Sequence, residues 1–226
     1  MGALGTCHEG LRPLKLAPEK IRLVMNDTAR VPNSGPAGGS RSQVMTGNAI
    51  KNGCEMLLNA MRKNDGNYRT YEEMKAEKIP LKYSGKWTAS MCTPCDANGQ
   101  GAPFPVYMYG VFMAEVTVDT RTGQTQVDKF TAMADIGKIN NKLVVDGQMY
   151  GGLAQGIGLA LTEDFEDIQK HSTMVGAGFP YVKQIPDAME LVYVETVRPE
   201  GPFGASGVGE LPLTCPHAAI INAIYN

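Results

Sequence analysis

The 226-residue sequence predicts an α+β fold in which mixed sheets pack against helices. Three observations carry that expectation. From Ser42, the residues Val44, Ala49, Ile50, Cys54, Leu57, Leu58 and Met61 fall mostly at three- and four-residue spacings, the period of an amphipathic helix. Two apolar strand-like runs, PVYMYGVFMAEVTVD and TQVDKFTAMADI, flank the turn TRTGQ and read as a hairpin. Near the end, the strand-like MELVYVETV leads through a glycine loop into PHAAIINAIYN, a helix with Pro216 in its first turn.

The remaining elements follow in chain order. GTCHEGLRPLKLAPEKIRLV reads as a short helix, a turn around Pro18 and a strand from Ile21 to Met25. From Asp27 to Ser42 the chain lacks apolar periodicity and is rich in Pro, Gly, Ser and Asn, so it is loop, with Ser40 or Ser42 placed to cap the helix that follows. Residues 64–103 read as a peripheral, insertion-like segment. Within it, TYEEMKAEK forms a short helix capped by Thr70 with Glu73 three residues on, YSGKWTAS a strand, and MCTPCDANGQGAP a loop. The first hairpin strand is uniformly apolar up to Glu115, which predicts burial on both faces. VDGQMYGGLAQGIGLALTEDFED reads as a helix despite Gly151, Gly152, Gly156 and Gly158. Each interior glycine costs about 1 kcal/mol against alanine, so another backbone or a ligand is expected close against that helix.

Composition narrows the function classes. Hydrophobic content of 43% and charged content of 19% are those of an ordinary globular chain. A net charge of −2 leaves no electrostatic footprint for nucleic acid or an anionic membrane surface. No apolar run approaches the ~20 residues of a membrane span, and MGALGTCHEG lacks the basic segment and apolar core of a signal peptide. Five cysteines are an odd number for a disulfide framework, so a reducing compartment, the cytoplasm, is expected. Because the helix pattern runs to the last residues without a cap, truncation is expected.

Three motifs bear on chemistry. Cys92-Thr-Pro-Cys95 has redox or zinc spacing, but it lies in a loop and His8, His171 and His217 are scattered, so it reads as incidental surface cysteines. Gly35-Pro-Ala-Gly-Gly-Ser-Arg-Ser-Gln43 precedes a helix. It suits either a flexible connector or an anion site, in which backbone N–H groups are joined by donors from Ser40, Arg41, Ser42 and Gln43. Third, GASGVGEL at 204–211 nearly spells the phosphate loop GxxxxGK[ST], with Glu210 where the lysine belongs. It is neither GxSxG nor GxGxxG. A carboxylate presented on glycines suits a positioned base, and a glutamate near a helix start is the plainer alternative. Ser206 or Cys215 with His217 is too close in sequence to oppose nucleophile and base.

PNSGPAGGSRSQVMTGNAI, YGVFMAEVTVDTRTGQ, DGQMYGGLAQGIGLALTEDFEDI and GPFGASGVGELPLTCPHAAIINAI together resemble the C-terminal, molybdopterin-binding portion of molybdenum hydroxylases. This is the xanthine oxidase family, and within it the sequence is most similar to bacterial aldehyde oxidoreductases. The likeness runs nearly end to end and in the same order. It implies that residues 1–226 are part of the molybdenum-binding domain, with molybdenum held by molybdopterin cytosine dinucleotide. It implies hydroxylation of an aldehyde carbonyl carbon to a carboxylic acid, with Glu210 as general base removing a proton from the attacking oxygen as hydride leaves the carbon. A lysine there could not accept that proton while charged. Ser40, Arg41, Ser42 and Gln43 match a stretch that binds the pterin dinucleotide, with Gly39 beside them; Ser42 stands where aldehyde oxidoreductases of the family carry Gln, which implies that one side-chain hydrogen bond is lost or replaced. Gly207 and Gly209 are implied to let backbone approach the metal, where a Cβ would collide. The glycine-rich helix at 148–161 is implied to be a packing element. The resemblance further implies 2Fe–2S clusters on absent domains or partner subunits, the remaining N-terminal molybdenum and iron–sulfur portions as partners, and a homo-oligomer when complete. Two other readings stay open: hydroxylation of an N-heterocycle, and a non-catalytic cofactor-binding or assembly module of the same fold.

Overall fold

The computed structural model describes residues 2–24 and 27–226. The chain folds as two compact units. The first comprises residues 1–107, 138–141 and 197–207; the second comprises 108–137, 142–196 and 208–226.

In the first unit, α1 (Gly2–Gly10) packs on α2 (Ser42–Met61), and α3 (Tyr71–Ala76) lies farther along the chain. The α1–α2 contact is close because Gly10 has no side chain; a Cβ there would lie 2.9 Å from Cys54 Sγ. The tie is also polar. Thr6, fully buried, donates to the Gly2 carbonyl and accepts from Gln43 Nε2 at 3.2 Å and from Asn140 Nδ2 at 3.1 Å. A buried hydroxyl with each partner satisfied costs little, whereas one left unpaired costs about 1–3 kcal/mol. The capping box on α3 is as read: Glu73 N donates to Thr70 Oγ1 and Thr70 N to Glu73 Oε2.

Two expected strands are absent. Ile21–Val24 carry no ladder, and Met25, the end of that expected strand, lies outside the described residues. Residues 83–89 form no strand either. There Gly85 is wedged against the backbone of Ala49 and Gly53 in α2, and Lys86 N donates to Asn52 Oδ1 at 3.1 Å. The segment's backbone bonding goes to a helix side chain instead of a neighbouring strand.

The second unit holds a mixed three-stranded sheet in the order β1-β2-β3: β1 (Tyr109–Val118), β2 (Thr125–Asp135) and β3 (Ala188–Val194). β1 and β2 form the expected antiparallel hairpin, with a register shift between Glu115 and Val116. Its turn is shaped by Asp119, whose Oδ1 accepts from Arg121 N at 2.8 Å, and by Gly123 at φ 75°. β3 pairs parallel to β2, which requires a crossover; α4 (Lys142–Leu161) supplies it. Phe130, Ala132 and Ala134 of β2 pack with Met149, Leu153 and Ile157 of α4 and Ile220 of α6 (Pro216–Tyr225) as the core, all essentially without exposed surface. The α4 contributions fall at i, i+4 and i+8, one face of a helix. Tyr193 of β3 donates to Asp146 Oδ1 at 2.8 Å, and Lys142 Nζ reaches the same carboxylate at 2.7 Å. Lys142 first, then the Tyr193 hydroxyl, hold the Asp146 carboxyl below its usual range.

Burial on both faces of β1 is not observed. Alternate residues Phe112, Ala114 and Val116 are half-buried, while Tyr109, Val111 and Met113 are exposed. The glycines of α4 are explained by side chains instead of a backbone or ligand: a Cβ on Gly152 would strike the Pro212 ring, one on Gly156 the Pro216 ring, and one on Gly158 the Pro180 ring. Gly151 has no such neighbour within 4 Å.

Candidate functional site

The expected cofactor segment lies at the head of α2. Gly39 and Ser40 are consecutive left-handed residues, at φ 60° and 54°, and turn the chain sharply into the helix. Gly39 adopts that region freely, while a serine there is uncommon and marks a position determined by its surroundings. The N-cap position falls on neither expected residue. Arg41 occupies the N-cap position, at φ −72° and ψ −21°, and makes no side-chain cap hydrogen bond; Ser42 is the first helical residue. The Arg41 side chain folds back over Gly35, its Nη1 3.5 Å from where a Cβ on that glycine would stand. Ser42 is exposed and Gln43 half-buried. Part of Gln43's donor capacity is spent on Thr6, so this residue anchors α2 to α1 as well as standing in the segment.

The second expected segment converges on the first. Gly207 belongs to the same unit as Ser40, and a Cβ on Gly207 would strike the Ser40 carbonyl oxygen and lie 2.8 Å from its Cβ. The neighbour that requires this glycine is therefore the backbone of the other loop. Along α2, the rest of the 198–207 loop is held in register: Gly47 abuts the Pro202 ring, buried Asn48 donates to the Glu200 carbonyl at 2.8 Å, and Lys51 Nζ sits 5.5 Å from the Phe203 ring centroid. Phe203 is itself left-handed, at φ 54°, and Gly204 follows at φ 85°. The Gly204 carbonyl accepts from both Lys138 N and Arg198 N. Ser206 Oγ donates to the Gly207 carbonyl at 3.1 Å, which gives that buried hydroxyl a backbone role.

Gly209 and Glu210 belong to the second unit, and Gly209 sits in the bend just before α5 (Leu211–Thr214). The Glu210 side chain is exposed, and the residue takes the N-cap position of α5. The sequence placed the next helix start at Pro216; the short α5 brings one directly after Glu210. Even so, Glu210 makes no side-chain cap hydrogen bond, and a single turn of helix has little dipole to offer a carboxylate. Pro212 within α5 and Pro216 just after it, seated on Gly152 and Gly156 of α4, fix this stretch of chain. Among the described residues no cluster of three His, Cys, Asp or Glu side chains is placed to hold a metal ion, and no helix is long and apolar enough to cross a membrane.

Sequence reasoning missed the supports of these loops. Thr6, Asn140, Asn48 and Pro202 hold them in place, and each acts across a long sequence separation. A buried asparagine on the apolar side of α2 was the available signal for Asn48. Nothing local marks Thr6 or Asn140.

Residues 4–186 match the model of the molybdopterin cofactor-binding domain family. The chain is 67% identical over 225 residues to the aldehyde oxidoreductase of Megalodesulfovibrio gigas, covering 99% of this chain and 25% of that protein. It is 26% identical over 226 residues to aldehyde oxidase 4 of Mus musculus, covering 95% of this chain and 17% of that protein. Among solved structures, it superposes with a TM-score of 0.95 on the aldehyde oxidoreductase from Desulfovibrio gigas, at 67% identity, over 99% of this chain and 25% of that one. A Cu,Mo-CO dehydrogenase at 19% identity shares the fold, with a TM-score of 0.75 over 99% of this chain and 31% of the other. The chain thus spans a quarter or less of the length of these curated relatives. With its match covering most of the chain, the protein belongs to the molybdopterin cofactor-binding domain family.

Proposed function

We propose that residues 1–226 form the C-terminal part of the molybdopterin-binding domain of a cytoplasmic aldehyde-oxidising molybdenum hydroxylase, with 64–103 as a peripheral segment. The single observation that carries this reading is 67% identity, nearly end to end, to a protein named aldehyde oxidoreductase. The substrate is an aldehyde, oxidised at its carbonyl carbon to a carboxylic acid, and Glu210 is the general base. The 2Fe–2S clusters and the rest of the molybdenum site reside on the portions of the enzyme beyond this chain, and the complete enzyme is a homo-oligomer.

The residues present suit a pterin dinucleotide. Gly39 leaves open space, with nothing within 4 Å of where its Cβ would be, and the α2 N-terminus beside it carries no side-chain cap from Arg41. Backbone N–H groups at the start of a 20-residue helix, with Arg41 and the Ser40 and Ser42 hydroxyls, match phosphate and cytosine acceptors. Gly207 holds the two loops at backbone contact. When bound, the molybdenum cofactor supplies the oxygen and takes up the electrons. Glu210 receives the proton on its carboxylate, and the proline-pinned α5 keeps that group from wandering. Gly209, just before it, leaves the approach to the carboxylate free of a Cβ.

In the complete enzyme, Glu210→Gln keeps the size and hydrogen-bonding reach of the side chain but cannot accept the proton. It is expected to retain molybdenum and to slow aldehyde turnover by about 10²–10⁴-fold, the usual worth of a positioned base. Near-normal turnover with full metal content refutes the role of Glu210, whereas a complete wild-type enzyme that oxidises no aldehyde favours the non-catalytic module. Faster turnover of an N-heterocycle than of any aldehyde by the wild-type enzyme would move the substrate class.

A further inference from the structure

Cys7 and Cys54 meet where α1 packs on α2, and neither enters the proposed reaction. The packing holds them there from both sides. On one side Thr6 accepts from Gln43 Nε2 at 3.2 Å; on the other, a Cβ on Gly10 would lie 2.9 Å from both the Cβ and the Sγ of Cys54. Cys7 and Gly10 stand three residues apart, on one face of α1. Cys54 is directed at that face: its side chain bonds the Cys7 side chain, and its Sγ lies 3.9 Å from the Cys7 carbonyl. Both are free thiols, Cys7 half-buried and Cys54 buried. Side chains aimed at one another across a close helix contact are the first condition for a disulfide.

We propose that Cys7 and Cys54 are a peroxide-sensitive pair, in which Cys7 is oxidised first and Cys54 then closes an intrachain disulfide between α1 and α2. Access and charge assign the order. Cys7 has the exposure that an oxidant needs, whereas Cys54 is reached only through Cys7. The Cys54 bond lowers the Cys7 pKa to about 7 against burial, so near neutral pH much of Cys7 is thiolate, the nucleophilic form. Its sulfur attacks one peroxide oxygen and the O–O bond breaks. Cys7 becomes a sulfenic acid, and the departing hydroxide is protonated to water. Until then Cys54 is held protonated, first by its bond to Cys7, then by burial and by the Cys7 and Glu55 charges. Once Cys7 is a neutral sulfenic acid, the thiolate that held this proton is gone. The Cys54 sulfur attacks the Cys7 sulfur, the S–O bond breaks, and the leaving hydroxide with the Cys54 proton makes a second water. Two thiols thus give two electrons and two protons to one peroxide. The bridge closes the chain over 47 residues and fixes α1 on α2 one residue from Thr6.

The complete enzyme, treated with hydrogen peroxide at neutral pH, quenched, unfolded and alkylated, is expected to lose alkylatable Cys7 and Cys54 one for one. Mass spectrometry is expected to find their peptides linked, and separated again by dithiothreitol. In Cys7→Ser the loss of the Cys54 thiol is expected to slow at least about tenfold. In Cys54→Ser a cyclic dione is expected to trap the Cys7 sulfenic acid. Full alkylation of both residues in treated wild-type enzyme overturns the proposal. So does Cys7 passing to sulfinic acid while Cys54 stays a thiol, or a Cys7–Cys54 link found only between two copies. The wild-type result decides by itself, so a variant that fails to fold leaves the test intact. The outcome is separable from the aldehyde assignment: Glu210→Gln tests the reaction, and the disulfide forms or fails to form whatever the substrate is.

Discussion

Cys7 and Cys54 are in side-chain contact between α1 and α2, and a single proton relation governs both. The Cys54 thiol donates toward Cys7, which lowers the Cys7 pKa from 9.0 to about 7 against the opposing effect of burial. Cys54 is pushed up by the same bond and remains protonated. Its Sγ also lies 3.9 Å from the Cys7 carbonyl, an acceptor it can use when Cys7 is a thiol. A depressed folded-state pKa contributes stability fully above the unfolded value, near 9.0, and loses it as pH falls through about 7. Iodoacetamide labelling of Cys7 is therefore expected to show its midpoint near pH 7, and Cys54→Ala to move that midpoint up toward 9.0. An unmoved midpoint in the variant would mean the Cys54 bond is not the cause. Residue-scale features were legible in sequence only when both partners were near neighbours. The Thr70–Glu73 capping box spans three residues and was readable; Gln43 and Asn140 meet at Thr6 across 37 and 134 residues and were not.

Among the elements, α4 shows how a sequence can be read correctly as to type and wrongly as to cause. Its period is helical, and its glycines do signal a close approach, but what approaches is a ladder of prolines. Gly156 and Gly151 separate the two effects that a glycine carries. Alanine at either position gains about 1 kcal/mol of helix propensity. At Gly156 its methyl would stand 2.6 Å from Pro216 Cγ, a ring fixed in the backbone, and overpacking of that kind costs about 1–3 kcal/mol. Gly156→Ala is thus expected to lower the thermal midpoint and Gly151→Ala to raise it. Equal shifts in both would remove the proline contact as the reason for the glycine. The two misread strands and the misread face of β1 share one origin. Apolar runs report that a segment will be buried by something; they do not report whether a neighbouring strand, a helix or a distant part of a longer chain does it. Residues 83–89 found α2, and β1 keeps one face bare.

At the scale of the whole chain, each unit is complete in some respects and open in others. The second unit has a closed core about Phe130, Met149, Leu153 and Ile220, and the first has loops held by buried polar contacts. The loop that turns through Gly39 and Ser40 into α2 was legible as a loop, because glycine and serine density before a helix is a local signal. That Gly207 closes on Ser40 was not, because it depends on the packing of residues far apart in sequence. The same limit bears on electron transfer. A 2Fe–2S cluster needs four ligands, normally thiolates, converging within one small volume. Of the five cysteines, Cys7 and Cys54 face one another in the first unit, Cys92 and Cys95 share a loop of that unit, and Cys215 lies in the second. No group of three possible ligands gathers among the described residues. Residues 1–226 produced alone and supplied with iron and sulfide under reducing conditions are therefore expected to bind no cluster and to lack its visible absorption. A stable visible chromophore abolished by Cys92→Ser or Cys95→Ser would show the loop recruiting ligands from a second copy, and would move part of the electron path onto this chain.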